Sequence, residues 1–192
     1  GNVILLGEMG IGNTSSAALL MARLTGEPLV ACTGRGTGLD DLGLAHKLSV
    51  LRDVLVRHQD VTEPLDVLAA MGGFEIAHMV GAILQAAADN RVIVVDGFIT
   101  TSAVLVASRL QPRVLQRCVF AHQSDESGHA RLLSHLGVKP LLNLQLRLGE
   151  GSGAALAWPL LVSVCAILRD MASFEAAGVT SSSEDAGKSL AR

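Results

Sequence analysis

Five apolar runs in this chain are each followed by a short stretch of small, polar or charged residues that can do chemistry. Gly7-Glu8-Met9-Gly10-Ile11-Gly12-Asn13-Thr14 follows Val3 to Leu6. Thr33-Gly34-Arg35-Gly36-Thr37-Gly38 follows Leu29 to Cys32. Asp96-Gly97 follows Val92 to Val95, and His122-Gln123-Ser124-Asp125 follows Cys118 to Ala121. Gly149-Glu150-Gly151-Ser152-Gly153 follows Leu141 to Leu148. In an open α/β sheet, ligands sit outside the carboxyl ends of the strands. If these runs are parallel strands, all five stretches converge on one edge.

The first stretch matches the phosphate-loop pattern G-x-x-x-x-G-K-[ST], except that Asn13 stands where the lysine would be. That lysine carries the charge contact to the β- and γ-phosphates, so the loop suits a nucleoside triphosphate poorly. The dinucleotide fingerprint is also incomplete. What remains is a glycine turn, with Gly10 and Gly12, feeding a helix N-terminus whose free N–H groups and dipole can hold one phosphate or carboxylate. An ordinary strand-to-helix turn capped by Asn13 or Thr14 fits the same residues.

The second turn, Thr33, Gly34, Arg35 and Gly36, lets backbone approach a ligand closely. Lys47, further along, either reaches an anion or is a solvated surface lysine. Glu150 lies between two glycines. Partly buried there, it would have a raised pKa and serve as a general base; otherwise it is a helix N-terminal glutamate favoured by the dipole. Glu8 presents the same choice. Of the six histidines, His122 and His129 are seven apart, but no clustered ligand set appears. No metal and no cofactor are expected. Ser124 has no G-x-S-x-G elbow around it.

The 192 residues suffice for one domain with a real core, and 49% are hydrophobic against 17% charged. Aromatics are scarce and the net charge is -3. This argues against stacking platforms or phosphate neutralisation for nucleic acid. Cys32, Cys118 and Cys165 form no C-x-x-C pair, which suggests reduced thiols in a cytoplasmic chain without a signal peptide. Gly151 to Leu168 carries no charge but contains Pro159; it is expected to be a buried core helix and not a membrane span.

These groups need elements to hold them. Continuous apolar runs suit parallel strands covered on both faces, while the Leu141 to Leu148 run alternates and suits a sheet edge. Helices are expected over Thr14 to Leu24, from a cap at Asp40 to about Val56, and over Phe74 to Asp89, with Ile76, Met79, Val80 and Ile83 on one face. Further helices are expected over Ser102 to Leu110, Glu126 to Leu136 and Ala154 to Ala172. Strand–helix alternation predicts an α/β class with an open, mainly parallel sheet and helices on both faces, a Rossmann-like three-layer arrangement. The expected organisation is an α/β core over 1–150, a helical segment over 151–179 and a disordered tail over 180–192. The helical segment would contribute to a smaller, incomplete domain.

Taken together, "GEMGIGNTSSAA", "CTGRGTGLDDLGLAHK", "MGGFEIAHMVGAI", "VIVVDGFITTSA", "HQSDESGH" and "LRLGEGSGAALA" resemble the nicotinate-nucleotide–dimethylbenzimidazole phosphoribosyltransferases. The resemblance reaches to about Val179. It implies transfer of the phosphoribosyl group of nicotinate mononucleotide to 5,6-dimethylbenzimidazole, for the lower-ligand nucleotide of cobalamin. The same resemblance implies Glu150 as the base that takes the benzimidazole proton, Leu148 as a wall of the benzimidazole pocket, and Glu8, Lys47 and Ser124 as site residues. The two glycine-rich turns would hold the phosphoribosyl group. It further implies a homodimer and no metal. Members of the family are longer at the N-terminus, where the rest of the acceptor pocket forms. This chain alone is therefore expected to have weak or no transferase activity.

Overall fold

In the computed structural model, which describes residues 1–36, 38–173 and 176–178, three apolar runs form a parallel sheet wrapped by helices. The chain divides into two units, Gly1–Ala157 and Trp158–Arg192. The expected disordered tail, 180–192, lies outside the described residues.

The strands are β1 (Val3–Leu6), β2 (Val92–Val95) and β3 (Cys118–Phe120), in the order β1-β2-β3. Val3 pairs with Val92 and Ile93 with Cys118, both in parallel register. β2 is central, so Ile93, Val94 and Val95 are fully buried, which is why its sequence is an unbroken apolar run. The α-helices are α1 (Thr14–Thr25), α2 (Leu29–Cys32), α3 (Asp41–Arg57), α4 (Pro64–Met71), α5 (Phe74–Ala88), α6 (Phe98–Leu110), α7 (His129–His135) and α8 (Ser152–Asp170), with a 3₁₀ turn at Pro112–Arg117.

Amphipathic helices fall where periodicity placed them. α5 buries Ile76, Met79, Val80 and Ile83 against the core. Asp40 caps α3 by accepting from the Gly43 N–H at 2.7 Å. α6 begins four residues before the expected Ser102, because Phe98 through Ser108 are all buried. A helix covered on every side has no polar face to mark its start. Its internal hydroxyls bond back within the helix, Ser102 to Ile99 O and Ser108 to Leu105 O. α7 starts at His129 and not Glu126, a turn ending at Gly128 coming first.

Two expected strands are not strands. Leu29–Cys32 is a single helical turn: Pro28 precedes it, and its carbonyl accepts from the Ala31 and Cys32 N–H groups. A four-residue apolar run fits either state, and proline at a helix start favours this one. The 141–148 segment runs beside β3, bridged at His122 and Leu142. It leaves extended geometry at Gln145, whose φ is +55°, so no continuous ladder forms.

The long apolar helix α8 also differs from expectation. Only Gly153, Ala154 and Ala157 are buried, and apolar side chains including Leu160, Val164 and Leu168 are exposed. By length and composition it could cross a membrane. The expected buried core helix is thus not observed: most of its apolar side chains are exposed.

Candidate active site

Parallel pairing sends the ends of β1, β2 and β3 to one edge, where an open crevice of about 490 Å³, solvent at its mouth included, is lined by Glu8, Gly10, Asp96, Ser124, Glu126 and Leu148, among others. The return of the chain beyond β3 completes it. The N–H groups of Leu141 and Leu142 donate to Phe120 O and Ala121 O, and that of Asp125 donates to Leu146 O. The segment then crosses the edge to β1, where the Glu150 N–H donates to Glu8 O at 2.7 Å. Residues from opposite ends of the first unit thus meet, and Glu8 and Glu150 stand on hydrogen-bonded backbones.

Two features fix this meeting. Buried Asp96 accepts from the Gly151 N–H at 3.1 Å and the Ala154 N–H at 3.0 Å, occupying the otherwise unpaired amides at the start of α8. His122 Nε2 lies 3.6 Å from the same carboxylate. Close backbone approach does the rest. A Cβ on Gly153 would stand 1.9 Å from His122 Cδ2, and one on Gly7 would stand 2.3 Å from Gly151 Cα.

In the first turn, Gly10 and Gly12 have positive φ, a conformation glycine adopts without steric cost. Asn13 occupies the N-cap position of α1, yet its side chain does not cap the helix. Its Nδ2 donates to the Glu8 carboxylate and, at 3.3 Å, to Glu75 Oε1. The plainly capped turn is therefore not what forms; Asn13 orients Glu8.

Lys47 is half-buried. Its Nζ donates to Thr14 Oγ1 at 3.1 Å and Gly34 O at 3.0 Å, tying α1 to the second glycine turn. Burial lowers its pKa, while the nearby Glu126 charge opposes that shift. It is not a solvated surface lysine. Arg147 donates to Gly36 O from the other side. Glu126 lines both the crevice and an adjoining depression with Thr33, Gly34 and Arg35. Burial raises its pKa, and Arg147 and Lys47 lower it.

Not every expected site residue turns inward. Arg35 is committed to Leu39 O and Asp41, and Thr33 Oγ1 donates to Leu29 O. Gly12 is exposed, away from the crevice lining. Leu148 lines the crevice but is 65% exposed. Glu150, expected to be partly buried, is exposed as well, and its backbone sits at φ +60°. Glu126 and Arg147 were not singled out in the sequence, Asp96 was named only as the residue following a strand, and His129 only as a metal ligand that the spacing did not support. The signal for Asp96 was present: a carboxylate directly after a wholly apolar strand.

His129 is fully buried, with Nδ1 2.8 Å from the Ser124 N and Nε2 3.0 Å from Thr101 Oγ1. Desolvation, with a smaller contribution from His122, pushes its pKa down to about 3. The unfolded chain would bind this proton below about pH 6.5, whereas the folded chain would not until near pH 3. Stability linked to His129 is therefore complete above pH 6.5 and falls as pH drops toward 3, by at most about 1.4 kcal/mol per pH unit. Glu126 acts in the opposite sense, because a raised carboxyl pKa favours the folded state on the acid side. Urea midpoints are expected to be level from pH 8 to 6.5 and to decline below that, more steeply in a Glu126→Gln variant. A midpoint unchanged down to pH 4.5 in both proteins would contradict the assignment.

This arrangement defines an α/β protein with an open crevice at the carboxyl ends of its parallel strands, lined by Glu8, Asp96, Glu126 and Arg147. The chain belongs to the phosphoribosyltransferase family whose model, DBI_PRT, matches residues 1–179. It is 70% identical over 180 residues to a nicotinate-nucleotide–dimethylbenzimidazole phosphoribosyltransferase of Variovorax paradoxus, covering 94% of this chain and 52% of that protein. It is 64% identical over 182 residues to the protein of the same name from Cupriavidus necator, covering 95% and 53%. The crystal structure of CobT from Thermus thermophilus superposes with a TM-score of 0.88 at 41% identity, covering 94% of this chain and 54% of that one. The chain spans about half the length of the curated relatives it matches.

Proposed function

We propose that this chain forms the phosphoribosyl-binding, base-supplying part of a nicotinate-nucleotide–dimethylbenzimidazole phosphoribosyltransferase acting in cobalamin biosynthesis. The observation that carries this reading is the hydrogen bond from the Glu150 N–H to Glu8 O, at 2.7 Å. It brings two carboxylate-bearing turns together at the crevice, as a displacement at a sugar carbon requires.

In this reading the 5′-phosphate of nicotinate mononucleotide meets the turn with Gly10 and Gly12, Lys47 and the Ser124 hydroxyl. Glu8, oriented by Asn13, faces the positive charge that develops at the anomeric carbon as its bond to the pyridinium nitrogen breaks. The bonding pair leaves with nicotinate. Glu150 accepts the benzimidazole N–H proton as the other ring nitrogen bonds to the anomeric carbon, giving α-ribazole 5′-phosphate. Leu148 would pack against the incoming base. A cytoplasmic homodimer without nucleic-acid or membrane partners fits this role.

The exposure of Glu150 and Leu148 favours a second reading for the chain by itself: it binds the nucleotide without turnover. The deciding assay follows nicotinate release from nicotinate mononucleotide with and without dimethylbenzimidazole. It uses this chain, and also a chimera in which the chain replaces the matching segment of the longer Variovorax relative. Acceptor-dependent release by the chimera is the expected result. Release without acceptor would point to hydrolysis, and binding without release in the chimera would remove the transferase reading.

A further inference from the structure

The hydrogen bonds around His129 admit one arrangement of protons. The Ser124 backbone N–H can only donate, so His129 Nδ1, 2.8 Å away, accepts and carries no hydrogen. The ring hydrogen of the neutral imidazole is then on Nε2, which donates to Thr101 Oγ1 at 3.0 Å. The Thr101 hydroxyl in turn donates to Gly97 O at 2.8 Å. This chain of bonds ties the turn after β3 to the first turn of α6, two segments that line the crevice. The Phe98 ring, tilted 55° with its centroid 6.2 Å away, packs on the imidazole.

A second consequence concerns the Ser124 hydroxyl. It lies 2.9 Å from the same Nδ1, so the hydroxyl and the Ser124 N–H both donate to that nitrogen as a three-centre bond. The imidazole thereby fixes both the backbone and the hydroxyl of Ser124, a residue that lines the crevice.

We propose that His129 is a positioning residue: as the fixed Nε2–H tautomer it clamps Ser124 to Thr101 and Gly97 and so holds the Ser124 hydroxyl at the crevice to meet the bound nucleotide. The identity of that ligand rests on the transferase reading above; the clamp does not. A proton on Nδ1 would face the Ser124 N–H, donor against donor, and open the clamp. The titratable group facing the ring is His122, with centroids 6.3 Å apart and Asp96 beyond it. The low pKa of His129 agrees with a ring held neutral.

Long-range ¹H–¹⁵N spectra of the histidine-labelled chain test the clamp without any ligand. From pH 5 to 8, His129 is expected to show an unprotonated Nδ1 and a protonated Nε2 at constant shifts. A protonated Nδ1, or a ring titrating near the ordinary histidine value, would overturn the proposal. The positioning role is read by calorimetry with nicotinate mononucleotide on Thr101→Val, Thr101→Ser, Ser124→Ala and the Thr101→Val/Ser124→Ala double variant. Loss of one hydrogen bond to the ligand is expected to weaken binding roughly 10-fold in Thr101→Val and Ser124→Ala. Thr101→Ser should restore it, and the double variant should bind no more weakly than Ser124→Ala. Independent, multiplying losses would refute action through Ser124. If the nucleotide binds none of the proteins, the transferase reading fails and the spectra alone decide the clamp.

Discussion

In the chimera with the Variovorax relative, Glu150→Gln is expected to lower acceptor-dependent nicotinate release by about 10²- to 10⁴-fold, the usual contribution of a positioned base. Glutamine keeps the length and packing of the side chain but takes no proton. Nucleotide affinity should change little, since the phosphoribosyl group is assigned to other residues. The backbone offers an internal control. Glu150 sits at φ +60°, which costs a non-glycine residue about 1–2 kcal/mol. Glycine's extra freedom in the unfolded chain offsets about 0.4–1 kcal/mol of this, so Glu150→Gly should leave stability unchanged or raise it by up to about 1 kcal/mol while losing as much activity as the glutamine variant. A Gln variant that kept more than a tenth of the activity would move the base elsewhere, with Glu8 or Asp96 the nearest carboxylates to test.

Gly7→Ala is expected to destabilise the chain by about 3 kcal/mol, the upper part of the overpacking range. The added methyl would stand 2.3 Å from Gly151 Cα and 2.4 Å from Gly151 N. Both are backbone atoms, so no flexible side chain can yield. Relief requires the 149–151 turn to lift away from β1, which breaks the Glu150–Glu8 bond and strains the Asp96 contact to the Gly151 N–H. Urea denaturation gives the stability loss, and nicotinate release by the corresponding chimera should fall with it. A variant as stable as the parent would show that this approach is looser than its backbone separation implies.

What could be read from the sequence follows from how each element is covered. β1 and β2 are apolar runs ending in charge, and both were legible. α3 and α5 each pair a buried face with a solvated one, so periodicity marked them. α6 was legible only from Ser102, since its first turn is as buried as the rest. Leu29–Cys32 is too short for any period to tell strand from helix, and Gln145 breaks an alternating run at a residue with no turn signature. α4 was missed although Pro64 opens it and Gly72 follows it. At the site, glycine-flanked Glu8 and Glu150 stood out because their surroundings are local in sequence. The roles of Asp96 and His129 could not be read although both residues were noticed, because their partners come from distant segments: Asp96 with Gly151 and Ala154, His129 with Thr101.

The meeting of Glu8 with Glu150 also bears on how this protein reaches its native state. Val3 pairs with Val92, and the crevice closes only when the far end of the unit folds back onto β1. Contacts between segments so remote in the chain cost loop-closure entropy before they contribute any stability. The helical middle of the chain is therefore expected to gain protection before the edge that carries both carboxylates, an order that pulsed hydrogen exchange during refolding would check.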